Sequence, residues 1–206
     1  MAVQENPTVR PATGDMQTDT RRASETAPEH GAVMTPTSAK VFAVARIAAG
    51  FLFLWAFLDK AFGWGYATQA GNGWIDGGSP TYGFLSNVSA GPFQSMFHSM
   101  AGDGWVNLLF MLGLLGVGIG LLSGVALRLT AAAGTLMMAM MWAAEWPPAQ
   151  HMADGSLTMS TNPLVNYHVL YALLIIALAV AYAGNTWGLG RTWARLEFVR
   201  RNRWLL

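Results

Sequence analysis

Five polar side chains stand where four apolar runs of this sequence begin or end. Asp59 and Lys60 close the first run, Asn107 opens the second, Glu145 closes the third and His168 lies near the start of the fourth. Ionisable groups in apolar segments usually face a bundle interior or a wet cavity, which makes them candidates for function. Asp59 and His168 could accept or give protons, histidine being the better carrier because its unperturbed pKa, ~6.5, lies near ambient pH. Lys60 could polarise a carbonyl oxygen or hold an anion. Trp55, Trp64, Met141, Trp142 and Trp146 offer faces for a flat apolar ring, with Asn107 as a further polar contact. Together they suit a quinone, menaquinone or ubiquinone, with Asp59, His168, Lys60 and Glu145 as the catalytic set. A structural alternative uses the same residues. Lys60 paired with Glu145, and Asp59 with His168, would lock helix ends together, and the Met, Trp and Phe side chains would be plain core.

Other chemistries find less support. The chain has no cysteine, which excludes disulfides, thiolate metal sites, Cys-ligated clusters and a cysteine nucleophile. His98, His151 and His168, with Glu145 or Asp59, include donor types for zinc or haem, yet no HxH or HExxH pair occurs and no metal site is expected. With a net charge of +1 and no broad basic field, nucleic acid is not an expected partner.

Helices in a membrane must position these groups. Charged residues are 11% of the chain, under half the roughly 25% of soluble domains, and hydrophobic residues reach 53%. So few charges cannot cover a water-soluble surface. The expected fold is an all-α membrane protein, a four-transmembrane-helix antiparallel bundle over 41–186 with spans at about 41–66, 104–127, 129–146 and 164–183. Arg46 would snorkel to the near surface, and Gly116, Gly120 and Gly124 would form one close-packing stripe. Asn162-Pro163 reads as the start of the fourth span. Residues 1–40 are polar, without hydrophobic period, and read as a disordered cytoplasmic tail.

The remaining segments give orientation. The 67–103 stretch is too apolar for a mere connector and is expected to form short outer-surface helices, one starting at Ser79-Pro80 and one carrying Phe93, Met96, Phe97 and Met100 on a face. Residues 187–206 combine five arginines with Trp193, Leu196, Val199 and Trp204, the composition of a basic amphipathic helix facing the lipid bilayer. Lys40, Arg46, Arg128 and those arginines fall on one side of the four-span topology, whereas neither opposite loop contains Lys or Arg. The positive-inside rule then puts both termini in the cytoplasm.

Several short motifs carry a family resemblance. They are Phe57-Leu58-Asp59-Lys60, then Gly77-Gly78-Ser79-Pro80-Thr81 with Gly83-Phe84, and Phe97-His98 before Ala101-Gly102. Phe110-Met111-Leu112-Gly113, Met141-Trp142-Ala143-Ala144-Glu145, Asn162-Pro163 with His168, and Thr186-Trp187-Gly188-Leu189-Gly190-Arg191 follow in order. Over about residues 41–192 the chain resembles the DoxX/DoxD-like membrane proteins. The resemblance implies a four-helix integral protein of the bacterial cytoplasmic membrane. Some relatives are the membrane subunit of thiosulfate:quinone oxidoreductase, and others are linked to oxidative-stress complexes. It therefore implies a subunit of a quinone-linked oxidoreductase, with its site at the extracytoplasmic face and a soluble or membrane oxidoreductase partner. The alternative is a noncatalytic anchor or scaffold that recruits a partner protein.

Overall fold

The computed structural model describes residues 35–205; the tail expected over 1–40 lies outside them as far as residue 34. Helix α1 spans Pro36–Phe62 and begins ahead of the expected Val41. The reason is local. Thr35 Oγ1 accepts from the Ser38 N–H at 3.2 Å, and Pro36 occupies the first turn, where a missing N–H leaves no bond unmade. The helix stops before the expected Tyr66 because Gly63 turns left-handed (φ 62°) and donates its N–H to Asp59 O at 2.8 Å. A Cβ at Gly63 would lie 2.9 Å from Gln69 O, so both the turn and the loop beyond it select glycine.

A 3-10 turn at Trp74–Asp76 and two short helices, α2 (Tyr82–Leu85) and α3 (Gln94–Met100), precede α4 (Gly104–Ser123). A tight turn through Gly124 leads into α5 (Leu127–Glu145), and α6 covers Tyr167–Val180. Among the described residues there is no β-strand, only an isolated bridge between His151 and Leu157. Helices α1, α4 and α5 are long and apolar enough to cross a membrane. Helix α6 is apolar but has 14 residues, which at ~1.5 Å each reach ~21 Å against a hydrocarbon core of ~30 Å. It starts later than expected because Asn162 caps only a turn, accepting from the Leu164 and Val165 N–H groups at 2.9 Å. Asn166 caps the helix itself, accepting from the His168 and Val169 N–H groups.

Glycines set the contacts between the long helices. A Cβ at Gly50 would lie 2.7 Å from Leu122 N and one at Gly118 2.8 Å from Leu54 N, so α1 and α4 cross backbone to backbone, antiparallel. Gly120 abuts Thr130 of α5, and a Cβ at Gly134 would lie 3.0 Å from Ile175 of α6. The expected stripe does not act as one face. Gly116 has nothing within 4 Å of its Cβ position, and Gly118, outside the stripe, makes the crossing with α1.

Arg46 does not snorkel; it is fully buried. Its Nη1 donates to Leu121 O, which also accepts from the Gly124 N–H at 3.2 Å, and, at 2.7 Å, to Leu122 O, carbonyls in the last turn of α4. Its Nη2 donates to Trp187 O at 2.8 Å and Thr186 O at 3.4 Å, beyond α6. Absent side chains make this possible: a Cβ at Gly188 would lie 3.0 Å from Nη2, and one at Gly124 2.6 Å from Gly184 Cα. The guanidinium staples three parts of the chain at one end of the helices, and Gly188 leaves room for it.

The C-terminal segment is not one amphipathic helix. It breaks into α7 (Gly190–Arg195), α8 (Glu197–Arg201) and a 3-10 turn at Arg203–Leu205. Extended backbone at Leu196 redirects the chain so that Val199 and Leu205 are buried, while Trp193 Nε1 donates to Leu205 O at 2.9 Å. Arg128 Nη1, at the start of α5, donates to Arg203 O at 3.3 Å. Burial of those two apolar residues outweighs a continuous helix lying along a lipid surface.

Candidate functional site

The polar residues expected to meet at one level divide into separate groups. Asp59 is buried, and its carboxylate accepts three backbone N–H groups from the loop that follows: Tyr66 at 3.2 Å, Ala67 at 2.9 Å and Thr68 at 2.8 Å. It forms no ion pair with His168, contrary to expectation. Its oxygens hold the chain as it leaves α1. Asn107 has a comparable duty: Oδ1 accepts from the Thr81 hydroxyl at 2.7 Å, the Thr81 N–H at 3.1 Å and the Ser79 hydroxyl at 3.1 Å. These bonds pin the Ser79-Pro80-Thr81 turn, and with it α2, against α4.

Lys60 faces another way, as adjacent residues on a helix must. It lines a partly open cavity of ≈ 200 Å³ between α1, α4 and α5, closed on a further side by α2 and α3. Phe84, Phe97 and Phe110 supply ring surface, and Met137, Met140 and Met141 supply thioethers. The other polar lining residue is Thr81, whose hydroxyl is already donated to Asn107. Among the described residues Lys60 makes no ion pair, so the expected bridge to Glu145 does not form. An apolar cavity with one cationic donor favours a molecule that is apolar over most of its surface and carries an electron-rich oxygen. Thioethers let the wall adapt to the shape of a ring.

Glu145 and His168 form a second polar group. Glu145, at the end of α5, accepts from Asn166 Nδ2 at 3.0 Å and from the Tyr167 hydroxyl, and lies 3.4 Å from His168 Nδ1. Asn166 Nδ2 is also 3.2 Å from Nδ1. The His168 ring is 1% exposed, and its Nε2 is buried with no hydrogen-bond partner among the described residues. One ring nitrogen is thus oriented by a carboxylate and an amide while the other is left free, an arrangement able to hold or pass a proton.

The indoles expected against a ligand do not line the cavity, and neither does Asn107. Trp55 packs on Phe51, Trp64 and Tyr66 at centroid distances of 5.7, 5.4 and 5.2 Å, an aromatic cluster with Trp64 and Tyr66 exposed. Such clusters suit a membrane–water interface. Trp142 packs on Trp146 at 5.5 Å and donates Nε1–H to Leu164 O at 2.9 Å, and Trp146 meets Phe93 at 6.0 Å. Trp142 thus holds the connection between α5 and α6, and Trp146 the one between α2 and α3. His98 Nε2 is occupied at 2.8 Å by Val88 O, and among the described residues no three His, Asp or Glu side chains converge.

Comparison with family models, with curated proteins and with solved structures gives no match. The chemistry open to this protein therefore rests on its own geometry. The lining residues that sequence reasoning missed, Met137 and Met140 beside Met141 and Ala144, do follow helical spacing on α5. That spacing marks one face of a helix, and does not tell a packed face from one bordering a cavity.

Proposed function

We propose that this protein is a four-span membrane protein of the DoxX-like kind that holds a quinone headgroup in the Lys60 cavity and serves as the membrane subunit of a quinone-linked oxidoreductase. The observation that carries the reading is the cavity itself, an apolar enclosure with a single ammonium group. Its ≈ 200 Å³ is below the ~300–1,000 Å³ of most ligand pockets, so it fits a ring while an isoprenoid tail leaves through the open side into lipid. A quinone bound there would accept electrons and protons made available by a partner oxidoreductase. Lys60 binds and polarises its carbonyl oxygen. His168, oriented by Glu145 and Asn166, does not line the cavity but offers a ring nitrogen with no hydrogen-bond partner among the described residues, whereas the oxygens of Asp59 are committed to the 66–68 loop.

In this reading α6, continued by the 3-10 turn at Ala183–Asn185, is the fourth span, and α2 and α3 lie at the outer face. The arginine distribution supports an orientation with both termini in the cytoplasm. The test is to purify the full chain in mild detergent and extract its quinone. Near-stoichiometric menaquinone or ubiquinone in the wild type, and its loss in Lys60→Met, is the expected result. A quinone-free wild type that also fails to bind added menadione would overturn the reading, and a reproducible soluble partner on that protein would favour the anchor function.

A further inference from the structure

We infer that the groove between α5 and α6 at the Arg128 end is a binding site for one anionic phospholipid, with its phosphate on Arg128 and an acyl chain along the groove. The groove is ≈ 320 Å³ and is lined by Arg128, Ala131, Ile176, Ala179, Val180 and Tyr182. Its shape comes from small side chains. Ala131 and Ala179 are buried and form the floor, while Ile176 and Val180, 40% and 72% exposed, form a rim facing outward from the helices. Apolar side chains exposed on helices that cross a membrane meet lipid tails, so the natural occupant of this furrow is hydrocarbon.

The mouth of the groove decides which lipid. Arg128 is exposed, and no carboxylate of the described residues lies within 4.0 Å of it. Its guanidinium is held in place without being neutralised. Nη2 donates to the Tyr182 hydroxyl at 2.9 Å, Nη1 donates to Arg203 O at 3.3 Å, and the guanidinium carbon lies 5.9 Å from the Tyr182 ring centroid. Arg200 and Arg201 of α8 are different, because each is paired with Glu197. A planar donor that keeps its positive charge and retains free N–H groups at the end of an apolar furrow matches a phosphate diester followed by an acyl chain. A zwitterionic headgroup brings its own cation to the same place and gains less. Basic pockets between helices at the cytoplasmic face are recognised positions for anionic headgroups. The inference rests on α5 and α6 meeting lipid with the Arg128 end at the cytoplasmic face, as proposed above, and stands whether or not the Lys60 cavity holds a quinone.

The experiment is native mass spectrometry of the full chain with added phosphatidylglycerol or phosphatidylcholine in the same detergent. The wild type should retain one phosphatidylglycerol roughly five-fold more tightly than phosphatidylcholine, the ratio given by ~1 kcal/mol per arginine at a surface. Arg128→Gln should remove that preference while Arg128→Lys keeps most of it. Ala179→Leu fills the furrow with the charge intact, and should lower retention of both lipids; it also keeps the test open if Arg128→Gln does not fold. Equal retention of the two lipids by the wild type, an unchanged preference in Arg128→Gln, or no loss in Ala179→Leu would each overturn the inference. Displacement of phosphatidylglycerol by millimolar inorganic phosphate would do so too, since it would locate the affinity in the phosphate alone.

Discussion

Asp59→Asn separates the structural from the catalytic account of this residue most sharply. In the wild type one carboxylate oxygen accepts from Ala67 and Thr68 and the other from Tyr66. The amide keeps a single acceptor oxygen. Turned toward Ala67 and Thr68, it replaces two charge-assisted bonds by neutral ones, a loss of about 1 kcal/mol each, and sets its NH₂ against the Tyr66 N–H. The Tyr66 bond is long at 3.2 Å, but leaving its N–H unpaired adds about 1 kcal/mol, so the total cost is about 3 kcal/mol. At roughly 2–4 °C per kcal/mol for a chain of this size, thermal unfolding in detergent should fall by roughly 6–12 °C. Limited proteolysis should open the 63–73 loop first, and the Lys60 cavity should bind its ligand with unchanged affinity once the protein is assayed well below its midpoint. An Asp59→Asn chain that melts with the wild type, or one that is stable yet loses turnover, would refute the assignment of Asp59 to loop anchoring.

Three further outcomes follow from other parts of the structure. Arg46→Met removes all four carbonyl bonds of the guanidinium; those to Leu122 O and Trp187 O, at 2.7 and 2.8 Å, alone should cost roughly 3–6 kcal/mol, measured as loss of monodisperse protein on heating. Gly118→Leu places a side chain against the Leu54 backbone and should separate α1 from α4, read as a fall in the temperature at which monodisperse protein is lost. The exposed Asp154 carboxyl is held below its ordinary value of 3.8, first by the Ser156 hydroxyl and then by the Ser156 N–H. Because the folded value is depressed, the turn is secure above pH ~4 and loosens as pH falls through the folded value. Protection of the Ser156 amide, measured against the unstructured exchange rate at the same pH, should fall at low pH in the wild type, and Asp154→Asn should show much of that fall at neutral pH.

Where the fold was legible, a local side chain determined the outcome. Trp146 and Pro147 close α5 where the sequence indicates, because a proline cannot continue a helix. Gly63 and Gly124 end α1 and α4 by the same left-handed turn, although the broad apolar runs drew the expected ends past both. Thr35-Pro36 carried a start signal that the polar composition of its surroundings obscured. The site was less legible, since the decisive partners are backbone groups. Arg46 binds four carbonyls and Asp59 three N–H groups, and every residue has those atoms, so no pattern of residue types announces them. Pairing by charge, Lys60 with Glu145 and Asp59 with His168, ignored this competition. A residue's place in an apolar run bears on its depth, but depth does not fix the side of the helix on which a group emerges.

The occupant of the Lys60 cavity is the claim on which the functional account rests, and photolabelling locates it directly. The full chain in bilayer nanodiscs is irradiated with an azidoquinone and digested, and the modified peptides are sequenced by mass spectrometry. Saturable labelling confined to residue 60 and residues 80–85, 97–110 and 137–144, competed by menaquinone and reduced roughly ten-fold or more in Lys60→Met, is the predicted result for loss of one charge-assisted hydrogen bond at ~1.5–3 kcal/mol. Labelling at the Trp55 and Trp64 cluster or beside Trp142 and Trp146, unaffected by Lys60→Met, would contradict it.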